Sequence, residues 1–266
     1  MKSPIALIVW TTAMFGVFAS QGNAQQAKQS QRRNFASCPV VQDTKTVPCW
    51  VSEYRGELFY LGIQSDISAE FHPPFLGHKV LVEGVISDEP RICGGVVLKP
   101  VVVSPLPEPD SSCNMILPAV EKYTVPFAPR PPGPSGGTLA FQRPARAPAA
   151  VQPPFTPREF SIYYDFDLPV TGRHAGLLSQ VVDYAEKIVA KRVVVTSLRG
   201  ATLLSDGSIL TEQSGIAQAR AEEITQLLRR AGLSKARIEV APRSEPEPAD
   251  GVDDWQSRRT TIRVEP

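Results

Sequence analysis

The stretch from 119 to 158 divides this chain in two. It contains PFAPRPPGPSGG and RPARAPAAVQPPFTPRE, has few large aliphatics, and carries no aspartate or glutamate between Lys122 and Arg158. Proline fixes φ and removes a backbone donor, so neither a helix nor a central strand runs through such a segment. A stretch this poor in apolar side chains also has little to bury. Folding must therefore happen on either side of it. We expect a β-rich, cysteine-containing domain at 38–118, a Pro-rich linker at 119–158 and a second domain at 159–266, which suits a chain of 266 residues.

The N-terminus reads as an export signal. Lys2 precedes an apolar run from Ile5 to Phe18, and the small residues Gly22 and Ala24 precede a plausible cut. The run is shorter than the roughly 20 residues that span a bilayer, so residues 1–24 are expected to be removed and the mature chain to have no transmembrane segment. The first cysteine, Cys38, is too far downstream for a lipid anchor at the cut. Residues 25–37 (QQAKQSQRRNFAS) are polar and are expected to be disordered. A formal net charge of +1 gives no general attraction to nucleic acid.

All four cysteines, Cys38, Cys49, Cys93 and Cys113, precede the linker. In an exported chain an even count favours two disulfides, and three pairings remain open. Each would contribute about 2–4 kcal/mol. Around them the pattern is one of short strands: CWVSEY and ELFYLGI flank an Arg55-Gly56 turn, and KVLVEGVIS and GGVVLKPVVVS follow. Helical periodicity is missing. This points to a small disulfide-stapled all-β domain, barrel or sandwich, with a segment LGHKVLVEGVI of OB-like character.

Beyond the linker, helices alternate with strands. FSIYYDF, RVVVTSL, ARIEVAP and RRTTIRV read as strands. GLLSQVVDYAEKIVA is an amphipathic helix, and a second helix runs from about Thr211 to Ala231, stopping at Gly232. The order β-α-β-α-β-β allows an α+β domain with two helices on one face of a mixed four-stranded sheet. At about 100° per residue, Arg220 falls between Ile216 and Leu227 on one side and Ile224 and Leu228 on the other. A charge in mid-stripe either snorkels, pairs with a buried acid, or holds a ligand.

The aromatic first strand, the βαβ unit, the helix GIAQARAEEITQLLRRAGL and the closing RRTTIRV together resemble the C-terminal domain of outer-membrane protein A (OmpA) and its peptidoglycan-associating relatives, over residues 160–265. Ile216-Ala217-Gln218-Ala219-Arg220-Ala221 resembles the family's L-S-x-x-R-A motif, and Ser257 to Ile262 partly matches N-R-R-V-E-I. The resemblance implies non-covalent binding of peptidoglycan, with Arg220 on a diaminopimelate carboxylate and an aspartate after the second strand holding the ammonium. A guanidinium fork suits a carboxylate. The family's T-D pair would fall at Arg199-Gly200, where no acid stands. The loop from Arg199 to Gln213 is longer than usual and offers Asp206 and Glu212 instead, with Asp206 equally readable as a turn residue in Asp206-Gly207. Arg258 and Arg259 could line the same pocket, although one should face solvent in an alternating strand.

The function so implied is that of an exported envelope protein, located in the periplasm or associated there with the outer membrane or cell wall, whose OmpA-like domain binds peptidoglycan and tethers the β-domain to the wall. The β-domain would have its own envelope partner. The alternative is an OmpA-like scaffold or protein-interaction module that has lost wall binding. No cofactor, metal or enzymatic activity is expected: His72 and His78 sit in a proline-containing loop without ligand spacing, nucleophile and phosphate motifs are missing, and Asp165 and Asp167 read as strand-end acids sharing a face.

Overall fold

A computed structural model describes residues 31–63, 76–125, 153–170, 175–233 and 235–266. The leader, most of the linker and His72 lie outside them. Arg32–Pro266 make up one compact unit.

The N-terminal part consists of β1 (Arg32–Ser37), β2 (Pro39–Gln42), β3 (Cys49–Tyr54), β4 (Glu57–Ile63), β5 (His78–Ile86), β6 (Val96–Pro109) and β7 (Met115–Leu117). Arg55 and Gly56 both take positive φ, 53° and 77°, the backbone that a two-residue hairpin between twisted strands requires. The 14-residue β6 pairs antiparallel with β5 and parallel with β4. The result is one open sheet, β1-β5-β6-β4-β3-β2-β7, rather than the barrel, sandwich or OB-like form expected. It does not close, because the outer edge of β1 bonds to the C-terminal part of the chain instead of to β7: Asn34 N donates to Ser205 Oγ (2.9 Å) and Ser205 N to Asn34 O (2.7 Å).

β1 also corrects the expectation of disorder across 25–37. Residues 32–37 are ordered because Phe35 buries its ring against Tyr54 and Phe59, with centroids 4.8 and 5.3 Å away. Trp50, Leu61, Val80, Val82, Leu98 and Val103 complete that core. The cysteines pair as Cys38–Cys113 and Cys49–Cys93. The first bond ties the start of β2 to the approach of β7, and the second anchors a smaller core with Val51 and Val125.

The C-terminal part runs β8 (Arg158–Tyr163), α1 (Ala175–Lys187), β9 (Arg192–Arg199), β10 (Ala201–Leu203), β11 (Ile209–Thr211), α2 (Ile216–Arg230), β12 (Arg237–Val240), β13 (Arg243–Pro246) and β14 (Arg259–Glu265). Its main sheet has the order β12-β9-β14-β8, with β13 also pairing β9. β12 is parallel to β9, and β14 is antiparallel to both β9 and β8. Alternation along these strands sends Phe160, Ile162, Val193, Val195, Ile262 and Val264 to one face, where Leu178, Val181 and Ile188 of the α1 region and Ile224 and Leu228 of α2 cover them. The long loop after β9 is a β10–β11 hairpin. The second helix starts five residues later than expected from Thr211, because Thr211 closes β11 and Gly215 (φ 89°) makes the turn into the helix.

The two parts expected to be held apart by the linker share buried polar contacts. The Asn34 side-chain amide donates to Leu203 O (3.1 Å) and Gly251 O (3.0 Å). Glu83 on β5 pairs with Arg258 just before β14, both essentially removed from solvent. Among the described residues, no helix is long and apolar enough to cross a membrane.

Candidate functional site

Arg220 lies on the buried face of α2, with a solvent exposure of 0%. Its guanidinium stacks 4.4 Å above the Tyr164 ring. A guanidinium has five N–H bonds, and all of them have acceptors. Nε donates to Leu168 O (3.0 Å), Nη1 to Glu212 Oε2 (2.9 Å) and Leu198 O (3.3 Å), and Nη2 to Glu212 Oε1 (2.5 Å) and Asp165 O (3.4 Å).

Glu212 is equally saturated and also has 0% exposure. Besides the fork of Arg220, its Oε2 accepts Gly200 N–H at 2.7 Å and its Oε1 accepts Asp167 N–H at 2.9 Å. Four donors thus converge on one carboxylate, two of them charged. The β10–β11 hairpin places it there: Glu212 directly follows β11, with its N–H on Gly200 O (3.1 Å). Arg199, beside the site, donates its Nε to Glu212 O (2.6 Å) and points Nη1 toward Ser244 O.

Gly200 has no room for a side chain. A Cβ there would lie 2.5 Å from Arg258 Cγ, 2.8 Å from Ser257 Oγ and 3.2 Å from Glu212 Oε2. Only a glycine fits between the two buried pairs. On its far side, Arg258 Nη2 and Nη1 fork onto Glu83 at 2.5 and 3.2 Å, and Thr202 Oγ1 accepts from Arg258 (3.1 Å) while donating to Glu83 (3.1 Å). Arg258 Nε reaches Tyr164 O at 3.4 Å. Tyr164 donates to Thr260 Oγ1 (3.0 Å), and its burial pushes its phenol up to about 12, against the opposing effects of that hydrogen bond and of Arg220.

The other residues singled out in the sequence fall elsewhere. Asp206 forms the exposed tip of the hairpin, accepting Ser208 N–H (2.9 Å) and O–H (2.6 Å) on Oδ1, which holds its carboxyl below the usual range. Arg259 lies on the opposite face of the sheet from Arg220, with Nη1 on Gln256 O (2.6 Å). Asp165 and Asp167 are not strand residues, since β8 ends at Tyr163. Asp167 takes a positive φ of 57° and accepts Gln213 N–H at 2.6 Å; burial raises its carboxyl pKa despite that bond. His78 Nδ1 bonds Leu106 O at 2.7 Å. Among the described residues, no group of His, Cys, Asp or Glu is arranged to hold a metal.

The residue that sequence reasoning missed is Glu83. It appears there as one acid within an apolar strand, HKVLVEGVI, and is 5% exposed in the structure. An acid flanked by valine and glycine in a buried strand was the available signal, because a charge is buried at such a place only when it is paired.

No protein-family model matches the chain, and no curated protein does. Solved structures that share part of its shape include the following two. One is the cell wall anchor of the T6SS from Pseudomonas aeruginosa, with 22% identity and a TM-score of 0.32 over 41% of this chain and 81% of that one. The other is a protein described as MotB like from Desulfovibrio vulgaris, with 11% identity and a TM-score of 0.33 over 41% of this chain and 75% of that one.

Proposed function

We propose that this chain is an exported envelope protein that acts as a scaffold or protein-interaction module, and that its C-terminal part does not take diaminopimelate through Arg220. The observation that carries this reading is the mutual saturation of Arg220 and Glu212. The OmpA-like pattern implies a carboxylate of the wall on Arg220; here the chain's own glutamate supplies that carboxylate. A ligand entering the fork would leave Glu212 ionised, buried and without its partner, and breaking a buried pair in this way costs about 3–5 kcal/mol. On this reading, tethering to peptidoglycan, the first function implied by the resemblance, would have no anchoring contact at Arg220.

The test is co-sedimentation of the full mature chain with purified sacculi, with a diaminopimelate-containing tripeptide as competitor. The chain is expected to stay in the supernatant, and the tripeptide to leave its unfolding temperature unchanged. Sedimentation that the tripeptide competes away would overturn the reading and restore wall binding.

A further inference from the structure

The helix-free face of the C-terminal sheet carries a groove of about 500 Å³, a volume in the range of specific ligand sites. Its two ends differ. At one end the charges neutralise each other: Arg192 pairs with Glu239 (2.7 Å) and Glu265 (3.0 Å), and Arg263 with Glu265 (2.9 Å) and Glu159 (3.6 Å). The other end is a single row across four strands. Arg243 of β13 is in register with Leu198 of β9, Leu198 stands beside Arg259 of β14, and Arg259 is in register with Tyr163 of β8. Among the described residues, neither Arg243 nor Arg259 has an ion pair. Two arginines thus flank a leucine, with backbones about 10 Å apart, two strand spacings. The Tyr163 ring closes the row, held edge-on against Trp255 at 5.1 Å.

We infer that this row is a docking surface for an acidic, extended peptide segment of a partner protein. This rests on the interaction-module reading and gives it a place. Paired guanidiniums reach carboxylates that alternate along one face of a strand, and Leu198 gives the apolar floor between them. Three glutamates, Glu159, Glu247 and Glu265, also line the groove. A long, uniformly charged polyanion such as a nucleic acid or a sulfated glycan would run past all three, whereas a short acidic segment centred on Arg243 and Arg259 meets only Glu247, whose backbone is held beside Arg199.

Anisotropy of a fluorescein-labelled peptide of alternating Asp and Ser, titrated with the full mature chain, tests the inference. The expected result is saturable binding that weakens at high salt, fails with the Lys-Ser counterpart, and falls by about tenfold in the Arg243→Ala/Arg259→Ala double variant, two exposed charge contacts being removed. Trp255 emission should change on binding to the wild type. Unaltered affinity in the double variant, no binding of the Asp-Ser peptide, or tighter binding of heparin through the same two arginines would each overturn the inference. Both substituted side chains lie on the sheet face opposite Arg220, so peptide binding and sacculus sedimentation fail independently and identify which claim is wrong.

Discussion

Glu212 and Arg220 form a closed pair in which donor and acceptor counts match, and this makes its removal informative. Arg220→Met alone leaves a buried carboxylate with two backbone donors, and Glu212→Ala alone leaves a buried guanidinium; each is expected to cost about 3–5 kcal/mol. The double variant should cost much less than the sum, which urea unfolding of all four proteins measures. In Glu212→Ala, the emptied position still faces the Arg220 fork and two amide N–H groups. Acetate should therefore raise the unfolding temperature of that variant and leave the wild type unmoved. Tyr164 gives the pH counterpart. Its pKa is raised from 10.0 to about 12 by burial, so its contribution is fully present below pH 10 and disappears as pH rises toward 12. That contribution is on the order of 2–3 kcal/mol, and tyrosinate absorbance followed against unfolding checks it. Helical periodicity alone showed that Arg220 faces the core. What it pairs with was not legible, because Glu212 reaches it only through the hairpin's length and the space left by Gly200.

The helices and four of the five strands of the C-terminal sheet were readable because their apolar residues keep periods of 3.6 and 2, whereas β13 (RSEP) has no large apolar residue to mark it. β1 was not, since RRNFAS carries a single large apolar residue, Phe35, and its order depends on partners distant in sequence. Chief among these is the β10–β11 hairpin, whose tip pairs with Asn34 along the outer edge of β1. An exposed edge of this kind is a hazard for association, and the hairpin covers it. Asn34→Ala keeps the backbone pairing but strips donors from Leu203 O and Gly251 O, an expected loss of about 1–3 kcal/mol. Amide exchange should then accelerate in β10 and around Gly251 before it does in the cysteine-bound strands; uniform acceleration across the sheet would argue against a local role for Asn34.

Across the whole molecule, the linker suggested two independent bodies, but the contacts that matter most cross between them. Composition shows where a chain cannot fold and is silent about whether the flanking parts meet. The buried Arg258–Glu83 pair, reinforced by Thr202, couples β5 to the start of β14. Truncating Glu83 to alanine would leave Arg258 charged, buried and short of its main acceptor, at a cost of about 3–5 kcal/mol. Two tryptophans report on the two sides: Trp50 is buried in the N-terminal core, and Trp255 precedes β14 beside Tyr163. In a chain that starts at Gln25 and so lacks Trp10, Trp255→Phe and Trp50→Phe variants each leave one reporter. If Arg32–Pro266 unfold as one unit, both reporters give the same denaturant midpoint, and Glu83→Ala lowers the two together. Reduction of Cys38–Cys113 and Cys49–Cys93, all in the N-terminal part, should likewise lower the Trp255 midpoint. A Trp50 transition that shifts while the Trp255 transition stays in place would show two bodies that merely touch, and would return the linker to the role of a tether.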